Sequence, residues 1–200
     1  MSKPEECAKT LKKIFDPYLQ IEIENWLKFT SMGQIAHVKK NTIIKSPFTI
    51  EKHLNFIISG SGGILKWHEN NFVCLDLVYD RNFLCDYLSF LNQKESDLET
   101  IVFEDSELFS INYNSFTQIL SSERGEKLRR KIAEGIMISQ QDSAKELLTK
   151  TAGERYNALI TKHPDILKRT PHKYIASYLG ITPQSLSRIK KSHIQLPNGN

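Results

Sequence analysis

The sequence predicts an α+β fold: an antiparallel β-sandwich or small barrel-like roll, one long helix, and a C-terminal pair of short crossed helices. Three observations carry this. Residues 34–113 alternate short β-branched and aromatic runs with polar turns. Residues 123–150 form one helical stretch, and residues 172–191 have the pattern of two helices joined by a tight turn. At 200 residues, 40% hydrophobic and 25% charged, the chain can bury a sizeable core. No apolar run approaches the ~18 residues that cross a bilayer. The charged N-terminus lacks an apolar signal region, so a cytoplasmic protein with no membrane partner is expected. Cys7, Cys74 and Cys85 are odd in number and widely spaced. That argues against disulfide scaffolds and four-cysteine metal sites and predicts small buried thiols.

Along the chain, Leu11, Ile14, Phe15, Tyr18 and Leu19 recur at helical spacing within residues 5–30, with Pro17 as a break. Strands follow at 35–38 and 42–44, joined by Lys39-Lys40-Asn41. Next come a strand at 54–58, a glycine-rich turn at 59–63, and strands at 64–67, 72–79, 100–103 and 108–111. Phe56, Trp67, Phe72, Phe83 and Tyr87 are expected to fill the roll. Asn114 or Ser115 caps a short helix to Leu120. In the long helix, Leu128, Ile132, Gly135, Ile136, Ser139, Ser143 and Leu147 form a stripe alternating between three and four residues. That spacing suits a two-helix dimer seam or a helix lying on its own domain's core, and the seam is favoured. Gly153 and Pro164 bracket a further helix with Tyr156, Leu159 and Ile160 on its apolar face.

Residues 172–191 read HKYIASYLGITPQSLSRIKK. Ile175, Leu179, Leu186 and Ile189 supply apolar contacts between two short helices, and Ala176 suits their crossing point. Gly180 ends the first helix at a positive φ, and Ile181 plugs the corner. Thr182 is a good N-cap, and Pro183 falls at the first helical position, where its missing donor is harmless. On the second helix, Gln184, Ser187, Arg188 and Lys191 share the outward face at spacings of three and four. Gln reads adenine and Arg reads guanine by paired hydrogen bonds in the major groove. Ser185 lies near the helix start, and Lys173, Lys190 and Lys191 suit phosphates. Charge agrees: residues 151–200 carry eight Lys/Arg against two acids, whereas residues 1–150 carry nineteen against twenty-one.

Residues 153–191 closely resemble the C-terminal winged-helix region of Crp/Fnr-type bacterial transcription regulators. The resemblance rests on Glu154-Arg155-Tyr156, His163-Pro164-Asp165-Ile166-Leu167, and the run from Ile175 to Pro183 before Leu186-Ser187-Arg188-Ile189. More loosely, residues 40–44 and 56–60 resemble the opening strands of a cyclic-nucleotide-binding-like roll. The resemblance implies a double-stranded β-helix sensor domain over 1–120, a dimerisation helix over 121–150 and a winged helix-turn-helix over 151–200. It also implies a homodimer that places two recognition helices on a near-palindromic operator in double-stranded DNA, with RNA polymerase as a further partner.

Members that bind cyclic AMP use a Gly-Glu pair and, further on, an Arg followed by Ser or Thr. Here Cys85 and Asp86 replace the pair, and no arginine occurs between Asn82 and Glu123. The candidate effector pocket around Phe83, Cys85, Asp86 and Tyr87 is therefore expected not to take cyclic AMP, because a buried phosphate needs a matching cation. No cofactor, metal or effector is assigned. Two other function classes fit the sequence less well. A cupin-like enzyme would need clustered histidines, and His37, His53 and His68 stand alone. A protein-interaction module without DNA binding leaves the Gln184/Arg188 face without a task.

Overall fold

The structure, a computed structural model, describes residues 3–17, 20–69 and 71–194. Two helices, α1 (Lys3–Phe15) and α2 (Ile23–Ser31), precede a roll of eight strands. These are β1 (Gln34–Val38), β2 (Ile43–Lys45), β3 (His53–Ser59), β4 (Ser61–His68), β5 (Asn71–Tyr79), β6 (Asn82–Leu84), β7 (Leu98–Val102) and β8 (Ser106–Asn112). A short helix, α3 (Tyr87–Asn92), lies between β6 and β7. The strands form two antiparallel sheets, ordered β1-β8-β3-β6 and β2-β7-β4-β5. After them come α4 (Tyr113–Leu120), α5 (Glu123–Thr149), α6 (Ala152–Lys162), α7 (Ile166–Arg169), α8 (His172–Tyr178) and α9 (Pro183–Ile194).

Several local expectations are corrected. The strands at 34–38 and 43–45 do not form a hairpin: β1 pairs with β8 and β2 with β7, in different sheets. The run Ser61-Gly62-Gly63 belongs to β4; the turn is made by Gly60, at φ +125°. Gly63 has no room for a side chain, because a Cβ there would lie 2.5 Å from the Phe103 ring. Asn112, not Asn114 or Ser115, caps α4 by accepting a hydrogen bond from the Ser115 N–H at 2.9 Å. Pro17 does follow the end of α1, while Tyr18 and Leu19 lie outside the described residues.

Alternation along β7 explains how the core is divided. Val102 points between the sheets, where it meets Ile57, Val78, Leu84 and Leu108. Its neighbours Ile101 and Phe103 point to the opposite face, with Leu65, Cys74, Leu77 and Tyr79. That second face is covered by Tyr156, Ile166, Tyr174, Ile175, Ala176 and Leu179 of the C-terminal helices. Phe72 packs there too, under Tyr174, and Trp67 beside it stays 39% exposed, so these two aromatics do not fill the roll. Phe56 does, with Phe83 and Tyr87 partly buried against its cluster. The remaining core joins α1, α2 and α4 to the other sheet through Trp26, Phe29, Phe109 and Phe116. All three cysteines are buried and unpaired.

Candidate nucleic-acid interface

Helix α8 ends at a corner of defined chemistry. Gly180 adopts φ +65°; its N–H donates to the Ser177 carbonyl and the Ile181 N–H to the Ala176 carbonyl, both at 2.9 Å. This double bond pattern satisfies carbonyls that a helix end would leave orphaned. Thr182 then accepts from the Ser185 N–H at 3.1 Å, capping α9. Ile175, Ala176, Leu179 and Leu186 are fully buried, and Ile181 and Ile189 pack partly buried against them. The apolar half of the motif thus packs as the spacing predicts.

The polar half faces outward. Thr182, Gln184, Ser187, Arg188 and Lys191 are exposed, and Ser185 and Lys190 are half-buried. Lys190 Nζ lies 3.2 Å from His172 Nε2, and Lys173 Nζ stands over the Tyr174 ring at 4.7 Å and Phe72 at 5.7 Å. A cation held over aromatic faces keeps its charge outward and its direction defined. Residues 151–194 contain helices and no strand.

The motif does not hang free of the roll. Phe103 and Tyr174 stack with centroids 4.5 Å apart. Ser177 Oγ accepts from the Cys74 N–H at 2.9 Å and donates to the Phe72 carbonyl at 3.3 Å, partnering backbone on the edge strand β5. Arg155 in α6 donates to the Leu147 carbonyl at the end of α5 and to the Leu179 carbonyl at the end of α8. Both are helix C-termini, where a cation is favoured.

The predicted stripe on α5 divides. Leu128 and Ile132 are buried in the chain's own core, and Ile136 packs against it. Ser143 hydrogen-bonds Tyr178, Gly135 and Leu147 are exposed, and the Ser139 side chain lies outside what is described. The stripe is therefore largely the face that α5 turns to its own chain. Outward-facing apolar residues lie elsewhere: Met137 (61% exposed), Ile138 (59%) and Leu148 (85%).

At the candidate effector corner, the structure supplies a cation that the sequence reading missed. Lys45, at the end of β2, is buried 3.2 Å from Asp86 Oδ2, with side chains 2% and 3% exposed. Its ammonium also donates to Ser96 Oγ at 2.9 Å and the Leu98 carbonyl at 2.7 Å, which occupies all three protons. Asp86 accepts from the Ser96 hydroxyl and, at 3.2 Å, from the Ser89 N–H, capping α3. The buried Glu51 carboxyl accepts from the His53 and Asp86 N–H groups at 3.3 and 3.4 Å. Cys85 donates to the His53 carbonyl at 3.5 Å, and burial pushes its thiol pKa well up, away from thiolate chemistry. Among the described residues no three His, Cys, Asp or Glu side chains are placed to hold a metal, and no helix is long and apolar enough to cross a membrane. A pair as distant in sequence as Lys45 and Asp86 carries no local signal.

Neither a protein-family model nor a curated protein matches the sequence. Solved structures do. FixK2 from Bradyrhizobium japonicum superposes with a TM-score of 0.71 at 14% identity, covering 84% of this chain and 89% of that one. A putative Crp/Fnr-family transcriptional regulator from Eubacterium rectale gives 0.65 at 17% identity, covering 90% and 88%. The c-di-GMP-responsive global regulator CLP from Xanthomonas campestris gives 0.63 at 15%, covering 86% and 92%. The chain therefore has the Crp/Fnr-like fold, with a cyclic-nucleotide-binding-like roll.

The buried corner makes stability depend on pH. Burial raises the Glu51 pKa from an ordinary 4.5 to about 7, against the opposing pull of the His53 and Asp86 N–H groups and Lys45. The folded chain thus holds this proton more tightly than the unfolded chain does. The stabilisation is complete below about 4.5 and is lost as pH rises through about 7. Asp76, pushed up to about 6 by burial, acts in the same direction. Denaturant unfolding from pH 4.5 to 8 should show stability falling with pH. Glu51→Gln should remove the part of that fall nearest pH 7 and keep the part due to Asp76; an unchanged profile would show that Glu51 does not titrate there.

Proposed function

We propose that this chain is a cytoplasmic, sequence-specific transcription regulator of the Crp/Fnr type, binding a near-palindromic DNA operator as a homodimer without cyclic AMP. The observation that carries the reading is the outward face of α9. Gln184, Ser187, Arg188 and Lys191 are exposed on the same helix whose Leu186 is buried, and no acidic residue lies between 184 and 194. A duplex offers base edges to Gln184 and Arg188, a base edge or phosphate to the Ser187 hydroxyl, and phosphates to Lys191 and, from α8, Lys173. The fold shared with a Crp/Fnr-family regulator supports the same reading. On this view residues 1–120 are the sensor-like roll, 121–150 the dimer helix, and 151–200 the reading domain.

The dimer seam proposed is the outward face of α5. Met137, Gln141, Ala144 and Leu148 recur at spacings of four, three and four, with Ile138 and Leu147 alongside. That is a heptad pattern, and one polar residue within it favours a single register between two copies. The first half of the Leu128–Leu147 stripe is left out of this seam because Leu128, Ile132 and Ile136 pack within the chain itself. At the effector corner, Lys45 already has Asp86 as its counter-charge, so a cyclic phosphate would have to expel a buried carboxylate. Calorimetric titration with cyclic AMP should give no binding at physiological concentrations, and micromolar affinity would overturn that part of the reading.

Two further outcomes test the whole. Gel shifts on an operator selected from a random DNA pool should show a specific complex. Arg188→Ala should weaken it by ~1–3 kcal/mol and relax preference at one base position, whereas Lys191→Ala should weaken all sequences alike and reduce the salt slope by about 1. If both variants bind as wild type does, the reading face is misassigned. Met137→Glu with Leu148→Glu should turn a dimer into a folded monomer in sedimentation, since both residues are exposed within the single chain; a dimer that persists places the seam elsewhere.

A further inference from the structure

The end of the roll nearest α7 carries one side chain with an unusual set of partners. Arg169, the last residue of α7, lies three positions before the start of α8. Its Nη1 and Nη2 donate to the two oxygens of Asp80 at 2.6 and 3.0 Å. Nη2 also donates to the Gly60 carbonyl at 2.8 Å, and Nε to Glu104 Oε1 at 2.9 Å. These acceptors sit on three separate turns, β3–β4, β5–β6 and β7–β8. Asp80 is itself held by the Gly60 N–H at 2.7 Å. The guanidinium stands 5.5 Å from the centre of the Tyr79 ring, whose hydroxyl lies 2.8 Å from Thr170 Oγ1.

We infer that Arg169 is a positioning residue: it locks the reading motif to the roll and thereby sets the half-site spacing that the dimer accepts. The inference rests on the function proposed above. Apolar contacts such as those under α8 are non-directional and permit a small slide or rotation. A planar guanidinium bound to a carboxylate at both ends does not, because its hydrogen bonds weaken steeply once bent or lengthened. Without that lock the motif would be tethered through the α5–α6 joint and held to the roll by apolar contact and by single hydroxyl bonds from Ser177, Tyr79 and Ser61, none of them a two-pronged fork. One base pair more or less between half-sites changes their separation by roughly 3.4 Å and turns one against the other by roughly 34° about the duplex axis. Shared equally, that is ~1.7 Å at each motif together with the rotation, enough to stretch bonds of 2.6 to 3.0 Å past hydrogen-bond range, so the locked motif cannot follow it.

The test uses the full-length chain and duplexes carrying the selected half-sites at the natural spacing, one base pair closer, and one base pair farther apart. Wild type should lose about a hundredfold in affinity at either altered spacing, the scale of loss when a second site can no longer be engaged. Arg169→Met keeps the apolar stem and removes every donor. It should bind all three spacings within about threefold of one another while its affinity for an isolated half-site stays at the wild-type value. Arg169→Lys, which keeps the charge without the fork, should behave like the Met variant. If Arg169→Met discriminates spacing as wild type does, or wild type does not discriminate, the inference is overturned. If Arg169→Met fails to fold, Glu104→Gln, which removes a single ion pair, must give an intermediate tolerance, and wild-type discrimination in that variant overturns it equally. A wild-type chain that binds no duplex specifically defeats the proposed function itself, which is a different result from specific binding without spacing discrimination.

Discussion

The stack of Phe103 on Tyr174 is the contact around which the molecule is organised. It joins a residue at the end of β7 to one in the first helix of the helix pair, and the apolar core around it belongs to both. A pair of this kind adds ~0.5–1.5 kcal/mol to the burial of the rings themselves. Its larger effect is architectural. Because the outer face of one sheet is apolar, it must be covered, and the helix pair is what covers it. The short helices could not bury their own apolar residues by packing on each other alone. The same face therefore decides where α9 sits and which of its sides reaches solvent.

Around that non-directional core, directional bonds select one arrangement. Ser177 engages the backbone of β5, Arg155 joins the ends of α5 and α8, and Arg169 gathers three turns of the roll. The buried Lys45–Asp86 pair does the same inside the roll, holding α3 against β2 and the approach to β7. Removing two charges from water is costly, and such pairs add little net stability. What Lys45 and Asp86 contribute is a single geometry for the corner, with every polar atom of the lysine head satisfied and its charge cancelled inside the protein.

Much of the helix pair was legible in the sequence because its signals are local. Gly180, Thr182 and Pro183 act within a few residues, and Ile175, Leu179 and Leu186 follow from helical periodicity. The long helix was legible for the same reason. The stripe through Leu128 and Ile132 follows from helical periodicity, but periodicity does not say what a face meets. Here it meets α4 and the roll in the first half of α5, which leaves Met137 and Leu148 outward. Pairing of β1 and β2 was misread because adjacency in sequence is only a prior for adjacency in a sheet. Trp67 and Phe72 were placed inside because strand alternation shows two faces without showing which is internal, and here both faces are covered.

By itself, then, the sequence determined most of the elements and their order, though not the short β6, α3 and α7, and with them the corner between α8 and α9 and the basic outward side of α9. These depend on backbone preference, capping and spacing, which act over one or two turns. Tertiary structure alone decided that the helix pair leans on the roll, that Lys45 cancels Asp86, and that Arg169 reaches Gly60, Asp80 and Glu104. Those partners are separated by 41 to 109 residues. Nothing in the identity of a lone lysine or arginine records which distant carboxylate the folded chain will bring beside it.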